Sequence, residues 1–139
     1  MPRLTRWMVR AALIHLAASL ALGTGLGLGR WLPLPPAVAA ATPVYFHLLM
    51  VGGVAQFIFG VAWWMFPPLS KARPRGDERW MWAVFFLLNG GLLLRALFEP
   101  WAAVDPIPFA RWGLALSALM LVAAGWIFVL HMWPRVKGR

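Results

Sequence analysis

Four long apolar stretches run through the chain, and each is cut off by prolines or by charge. The first extends from about Trp7 to Trp31 and the second from about Thr42 to Phe66. The third extends from about Glu78 to Glu99 and the fourth from about Pro108 to Trp133. A bilayer core about 30 Å thick needs roughly 20 such residues in a helix. LPLPPA separates the first pair of stretches and EPWAAVDPIP the last pair, while PPLSKARPRGDER in the middle is the one strongly charged loop. Without water in the bilayer, a spanning segment satisfies its own backbone only as a helix or in a closed barrel, and the lengths here are helical. The pattern therefore predicts an all-α membrane protein, a single four-helix transmembrane domain over residues 1–139.

The basic residues set the expected orientation. Arg3, Arg6 and Arg10 flank the first segment, Lys71, Arg73, Arg75 and Arg79 fall between the second and third, and Arg135, Lys137 and Arg139 follow the fourth. An even number of spans puts all three clusters on one side, which the positive-inside rule makes the cytoplasm, with both termini inside. Arg30, Glu99 and Asp105 fall on the other side. Tryptophans 7, 31, 80, 101, 112 and 133 sit near the ends of segments, as an interfacial aromatic belt requires. The first segment is too long for a cleavable signal peptide and lacks a small-residue cleavage motif, so it is expected to remain in the chain.

Composition supports the same reading. The chain is 62% hydrophobic and only 12% charged, against about 25% charged in a soluble domain. The net charge of +9 does not point to nucleic acid, because its residues sit at the ends of apolar runs. The absence of cysteine excludes disulfides, haem attachment through CxxCH, iron–sulfur clusters and thiolate metal sites.

Ionisable residues inside a membrane are functional candidates. Here they are His15, His47, Arg95 and, nearer the interfaces, Arg111 and His131, with Gln56 and Asn89 as uncharged additions. His47 and Arg95 lie about five residues from the outer ends of their segments and Arg111 about three, so the three share one level. His15 is expected about 15 Å below His47 at 1.5 Å per residue. His131 is expected at the cytoplasmic boundary. His15, Gln56 and Asn89 have a plain alternative role as hydrogen-bonding glue between helices. Arg95 can pair with Glu99 one turn later, and Arg111 can snorkel to the interface. The alternate glycines of LGTGLGLG have a packing role as their simplest reading. The histidines do not form a copper, zinc or non-haem iron set.

A single imidazole level with two arginines fits haem, which needs an axial ligand, apolar walls and cations for its propionates. Met50, Val51, Val54 and Ile58 lie beside and below His47, and Gly52, Gly53 and Gly60 give room for a flat ring or a close neighbour.

FHLLMVGGVAQFIFGVAWWMFP resembles the ligand-bearing helix of the haem–copper oxidase and nitric oxide reductase catalytic subunits. The similarity covers about residues 43–100. In that family three four-helix units make a twelve-helix subunit, and each carries ligands on its second helix. The resemblance implies that His47 matches the histidine ligating the low-spin haem. Tyr45 stands where the high-spin haem ligand would be, and nothing matches the copper ligands. It thus implies a low-spin, bis-histidine haem b and no oxygen- or nitric-oxide-reducing centre.

The expected function is electron transfer in the cell (inner) membrane, with a respiratory-chain donor and no catalysis of its own. The alternatives are a structural or assembly subunit of a respiratory complex without haem, or a haem-based gas sensor or small reductase. Arg95 and Arg111 are expected near the propionates. Met50 and His15 are reserve axial ligands. One chain supplies one histidine at the right depth, so a parallel homodimer sharing haem between two copies of His47 is expected, with a homotrimer second.

Overall fold

The computed structural model describes residues 1–71, 74–105 and 107–136, and among them every regular element is helical. Of the basic residues used above for orientation, Arg73, Lys137 and Arg139 lie outside the described residues. Helix α1 spans Arg3–Leu28, and a single turn, α2, spans Pro36–Ala39. Helix α3 spans Thr42–Met65, α4 Glu78–Val104 and α5 Pro108–Val136. The four long helices are each long and apolar enough to cross a bilayer, which makes this a multi-pass membrane protein.

The spans fall where the apolar pattern put them, but several ends move by a few residues. Helix α1 begins at Arg3, four residues before Trp7. Helix α4 continues through Pro100 to Val104, so the EPWAAVDPIP break starts later than expected. Helix α5 likewise runs through Pro134. Each proline lies within the last two turns, so little helix lies beyond the kink it causes. The α2 turn has no apolar period to announce it; Pro36 at its first position starts it.

The helices form two antiparallel pairs, α1 with α3 and α4 with α5. The pairs join through Leu4 and Met8 of α1, Trp63 of α3, Met81 and Val84 of α4, and Ala124 and Met132 of α5, all buried in one cluster. Phe59 of α3 stacks on Phe128 of α5, with ring centroids 3.8 Å apart and an interplanar angle of 8°. Since the start of α1 and the end of α5 share this cluster, the two lie at one end of the bundle, here the terminal end. Trp7, Trp80 and Trp133 are exposed there, and Trp31, Trp101 and Trp112 are exposed at the opposite, distal end.

Arg135, counted above with the basic cluster that follows the fourth segment, lies within α5 and is buried. Only 4% exposed, it reaches back from the last turn of α5 to the C-terminus of α3. Its guanidinium donates to the carbonyls of Trp63 (2.9 Å), Phe66 and Pro67 (2.9 Å). The Trp63 carbonyl is one that a helix leaves open in its last turn, and those of Phe66 and Pro67 follow just beyond it, where the macrodipole favours a cation. Arg75 adds to the same knot from the loop, with its guanidinium carbon 5.9 Å from the centre of the Trp63 ring.

Arg135→Gln should therefore destabilise the bundle by about 2–3 kcal/mol, the worth of hydrogen bonds to a charged group. Arg79→Gln, on an exposed residue, should change little. Reversible unfolding in mixed micelles compares the two, and equal effects would remove the special status of Arg135.

Candidate functional site on the second spanning helix

Helix α3 is not uniform. From His47 to Ala55 its backbone forms a π-helix, with α-helical turns before and after. Such i→i+5 segments are rare and are often found at functional sites. This one contains Gly52 and Gly53, both of which face α1. A Cβ built on Gly52 would meet His15 Cγ at 2.7 Å, and one on Gly53 would meet Leu16 Cβ at 3.6 Å. About two turns further on, a Cβ on Gly60 would meet Met8 Cβ at 2.9 Å. The glycines thus make room for a neighbouring helix within the same chain. Near the distal end, Tyr45 fills the space over Gly23 of α1, where a Cβ would come within 2.7 Å of its ring. Gly25 and Gly27 of the same glycine run have nothing within 4 Å.

His47 opens the π segment. Its Nδ1 lies 2.8 Å from the carbonyl oxygen of Pro43, one turn back on the same helix. Nδ1–H donates to that carbonyl, and in a neutral ring this leaves the lone pair on Nε2, which has no hydrogen bond among the described residues. The ring is partly exposed. Met50, Val54, Phe57 and Ile58 of the same helix are between 43% and 55% exposed, forming an apolar outer surface that no other helix of the chain covers.

The other expected site residues disperse. Tyr45 packs edge-on against Phe46, with centroids 4.9 Å apart, and turns to α1. Arg95 Nη1 pairs with Glu99 Oε1 at 3.1 Å, as their spacing predicted, with both side chains 17% exposed. Arg111 is exposed and makes no side-chain hydrogen bond or ion pair among the described residues. His131 Nε2 meets the carbonyl of Arg75 at 3.1 Å and packs over Gly76, whose φ of 75° suits glycine. It ties the charged loop to α5. Asn89 donates to Phe85 of its own helix at 2.7 Å, so it does not bridge helices as expected. The bridge between α4 and α5 comes instead from Ser117, whose hydroxyl donates to the Gly91 carbonyl at 2.7 Å.

His15 lies higher than its sequence position suggested. It touches Gly52, five residues along α3 from His47, which is about 7 Å at 1.5 Å per residue rather than 15 Å. The earlier start of α1 accounts for most of the difference. His15 faces Gln56 in the interior of the α1–α3 pair. Its Nδ1 and both polar atoms of the Gln56 amide are buried without a hydrogen-bond partner. Among the described residues no group of three His, Asp or Glu side chains comes together.

The sequence reading missed the π segment and the Arg135 cap. The paired glycines were the available signal for the first. The second had none, since a buried terminal arginine reads like any other loop charge. No protein-family model, curated protein or solved structure matches this chain.

Gly52→Val should cost roughly 1–3 kcal/mol of stability, because the added carbons run into His15. Gly25→Ala has open space and should gain about 0.5–1 kcal/mol from helix propensity. Unfolding of the two variants side by side checks the close α1–α3 approach; equal tolerance at both positions would contradict it.

Proposed function

We propose that this protein is a haem b-binding electron carrier of the cell (inner) membrane, with His47 as an axial ligand. The observation that carries the reading is the bond between His47 Nδ1 and the Pro43 carbonyl, 2.8 Å long. Metal-ligating histidines commonly donate their second ring nitrogen in this way, which fixes the tautomer and raises the basicity of the other nitrogen. The exposed apolar surface of Met50, Val54 and Ile58 supplies a wall of the kind a macrocycle needs. The resemblance of residues 46–67 to a haem-bearing helix adds to this. A bound haem would supply one-electron chemistry at its iron.

His47 stands on the surface of α3, so the second ligand is best supplied by a second copy. A twofold axis along the membrane normal gives two His47 rings at identical depth. Met50 is exposed on the same helix and remains the reserve ligand. His15, turned inward against Gly52, is less suited to that role. Arg95 already holds a carboxylate, so Arg111 is the freer cation for a propionate. The proposed orientation places the terminal end, with its described Arg3, Arg6, Arg10, Lys71 and Arg79, in the cytoplasm.

The absorption spectrum of the purified protein tests the central claim. Oxidised and reduced spectra should show a low-spin haem b, one per two chains, that does not bind carbon monoxide. His47→Ala should abolish it and His131→Ala should keep it. A colourless wild-type protein would favour a structural or assembly subunit, and carbon monoxide binding a gas sensor or small reductase. Arg111→Gln should lower the haem potential, since a nearby cation favours the reduced state; an unchanged potential would remove Arg111 from the site. For orientation, reporters fused after Pro36 and after Ala103 should both report the outside, and a cytoplasmic signal from either overturns it.

A further inference from the structure

The outward face of α1 carries a second chemistry, independent of haem. Arg3, Arg6 and Arg10 follow the helical repeat, and all three are exposed, with Trp7 exposed among them. The same face continues downward as exposed Ile14, Ala17 and Ala21. All four acids of the chain, Asp77, Glu78, Glu99 and Asp105, come after residue 76. Glu99 is taken by Arg95, and Asp77 accepts the backbone N–H of Arg79. Among the described residues none of the three α1 arginines has a hydrogen bond or ion pair from its side chain. They also stand in the first two turns of α1, where no acidic residue offsets the positive end of the macrodipole.

We propose that this face binds an anionic phospholipid, with the phosphate on Arg3, Arg6 and Arg10 and an acyl chain along Ile14, Ala17 and Ala21. Guanidinium is suited to this role because its fork of donors matches a phosphate. The arginines span about 10 Å along the helix axis, a height that long side chains close by snorkelling to one plane. Trp7 marks that plane, as interfacial tryptophans do. Two features favour lipid over an acidic soluble protein. Arg10 lies two turns into the helix, and the charged stretch continues without a break into surface that faces hydrocarbon. A soluble partner would meet only the first turn, whereas a phospholipid meets both parts.

Spin-labelled phosphatidylglycerol and phosphatidylcholine, compared in bilayers reconstituted with the full chain, provide the test. The motionally restricted shell should be enriched in phosphatidylglycerol, and added salt should reduce the enrichment. Each arginine should contribute up to about fivefold in local affinity, from roughly 1 kcal/mol per basic residue at the surface. The variant Arg3→Gln/Arg6→Gln/Arg10→Gln should bring the two lipids close to parity, and Lys71→Gln/Arg79→Gln should leave most of the preference. If the glutamine variant fails to insert in the wild-type orientation, Arg3→Lys/Arg6→Lys/Arg10→Lys, which keeps the orienting charge, replaces it and should show a reduced preference. No preference in the wild type, including a wild type that instead retains an acidic protein, overturns the proposal. So does a preference that survives in the decisive α1 variant or falls equally in the Lys71/Arg79 variant.

Discussion

A backbone carbonyl inside a bilayer has no water to turn to, and the polar architecture of this protein follows from that. The spanning helices satisfy most carbonyls internally. At the places where an open or spare acceptor is met by a side chain, the donor is specific. Arg135 closes the end of α3, Ser117 reaches Gly91 across α4 and α5, and His131 meets the Arg75 carbonyl in the loop. His47 on Pro43 belongs to the same series. There the bond also selects which ring nitrogen stays free, so a structural demand of the membrane becomes a possible device for ligation.

The two ends of α3 are held by different means. At the terminal end the Arg135 cap, the Phe59–Phe128 stack and the Trp63 cluster fasten it to α5 and α1. Along its middle and towards the distal end, α3 is fastened to α1 by glycine contacts. The π segment lies within that stretch, so the backbone departs from α geometry where it is pressed against α1 and where His47 is presented. The unpartnered Nδ1 of half-buried His15 and the amide of buried Gln56 occupy the inner side of the same stretch. Polar atoms in that condition are costly.

The haem reading and the lipid reading draw on different helices and different chemistry. The first needs a neutral imidazole with a free nitrogen beside an uncovered apolar surface. The second needs charge without a counter-charge at the membrane boundary. Helix α3 offers the first reading an imidazole bonded through Nδ1 beside an uncovered apolar surface, and α1 offers the second its unpaired arginines.

The positions of the four spans were legible in the sequence because apolar length decides whether a segment partitions into lipid, and partitioning is a property of each segment alone. The Arg95–Glu99 pair was legible for a similar reason, since four residues on one helix are neighbours whatever surrounds them. What needed tertiary structure were relations between segments. The role of Gly52 depends on His15 arriving opposite it, and the level of His15 depends on where α1 begins. Arg135 reads as solvated until α3 ends within reach of it. The π turn is likewise hidden, because local propensity favours an α-helix and its setting between α1 and the outer surface is known only once the helices are packed. Hydrophobicity and helical periodicity act along the chain, whereas close approach and carbonyl capping act across it, and only the packed bundle decides those.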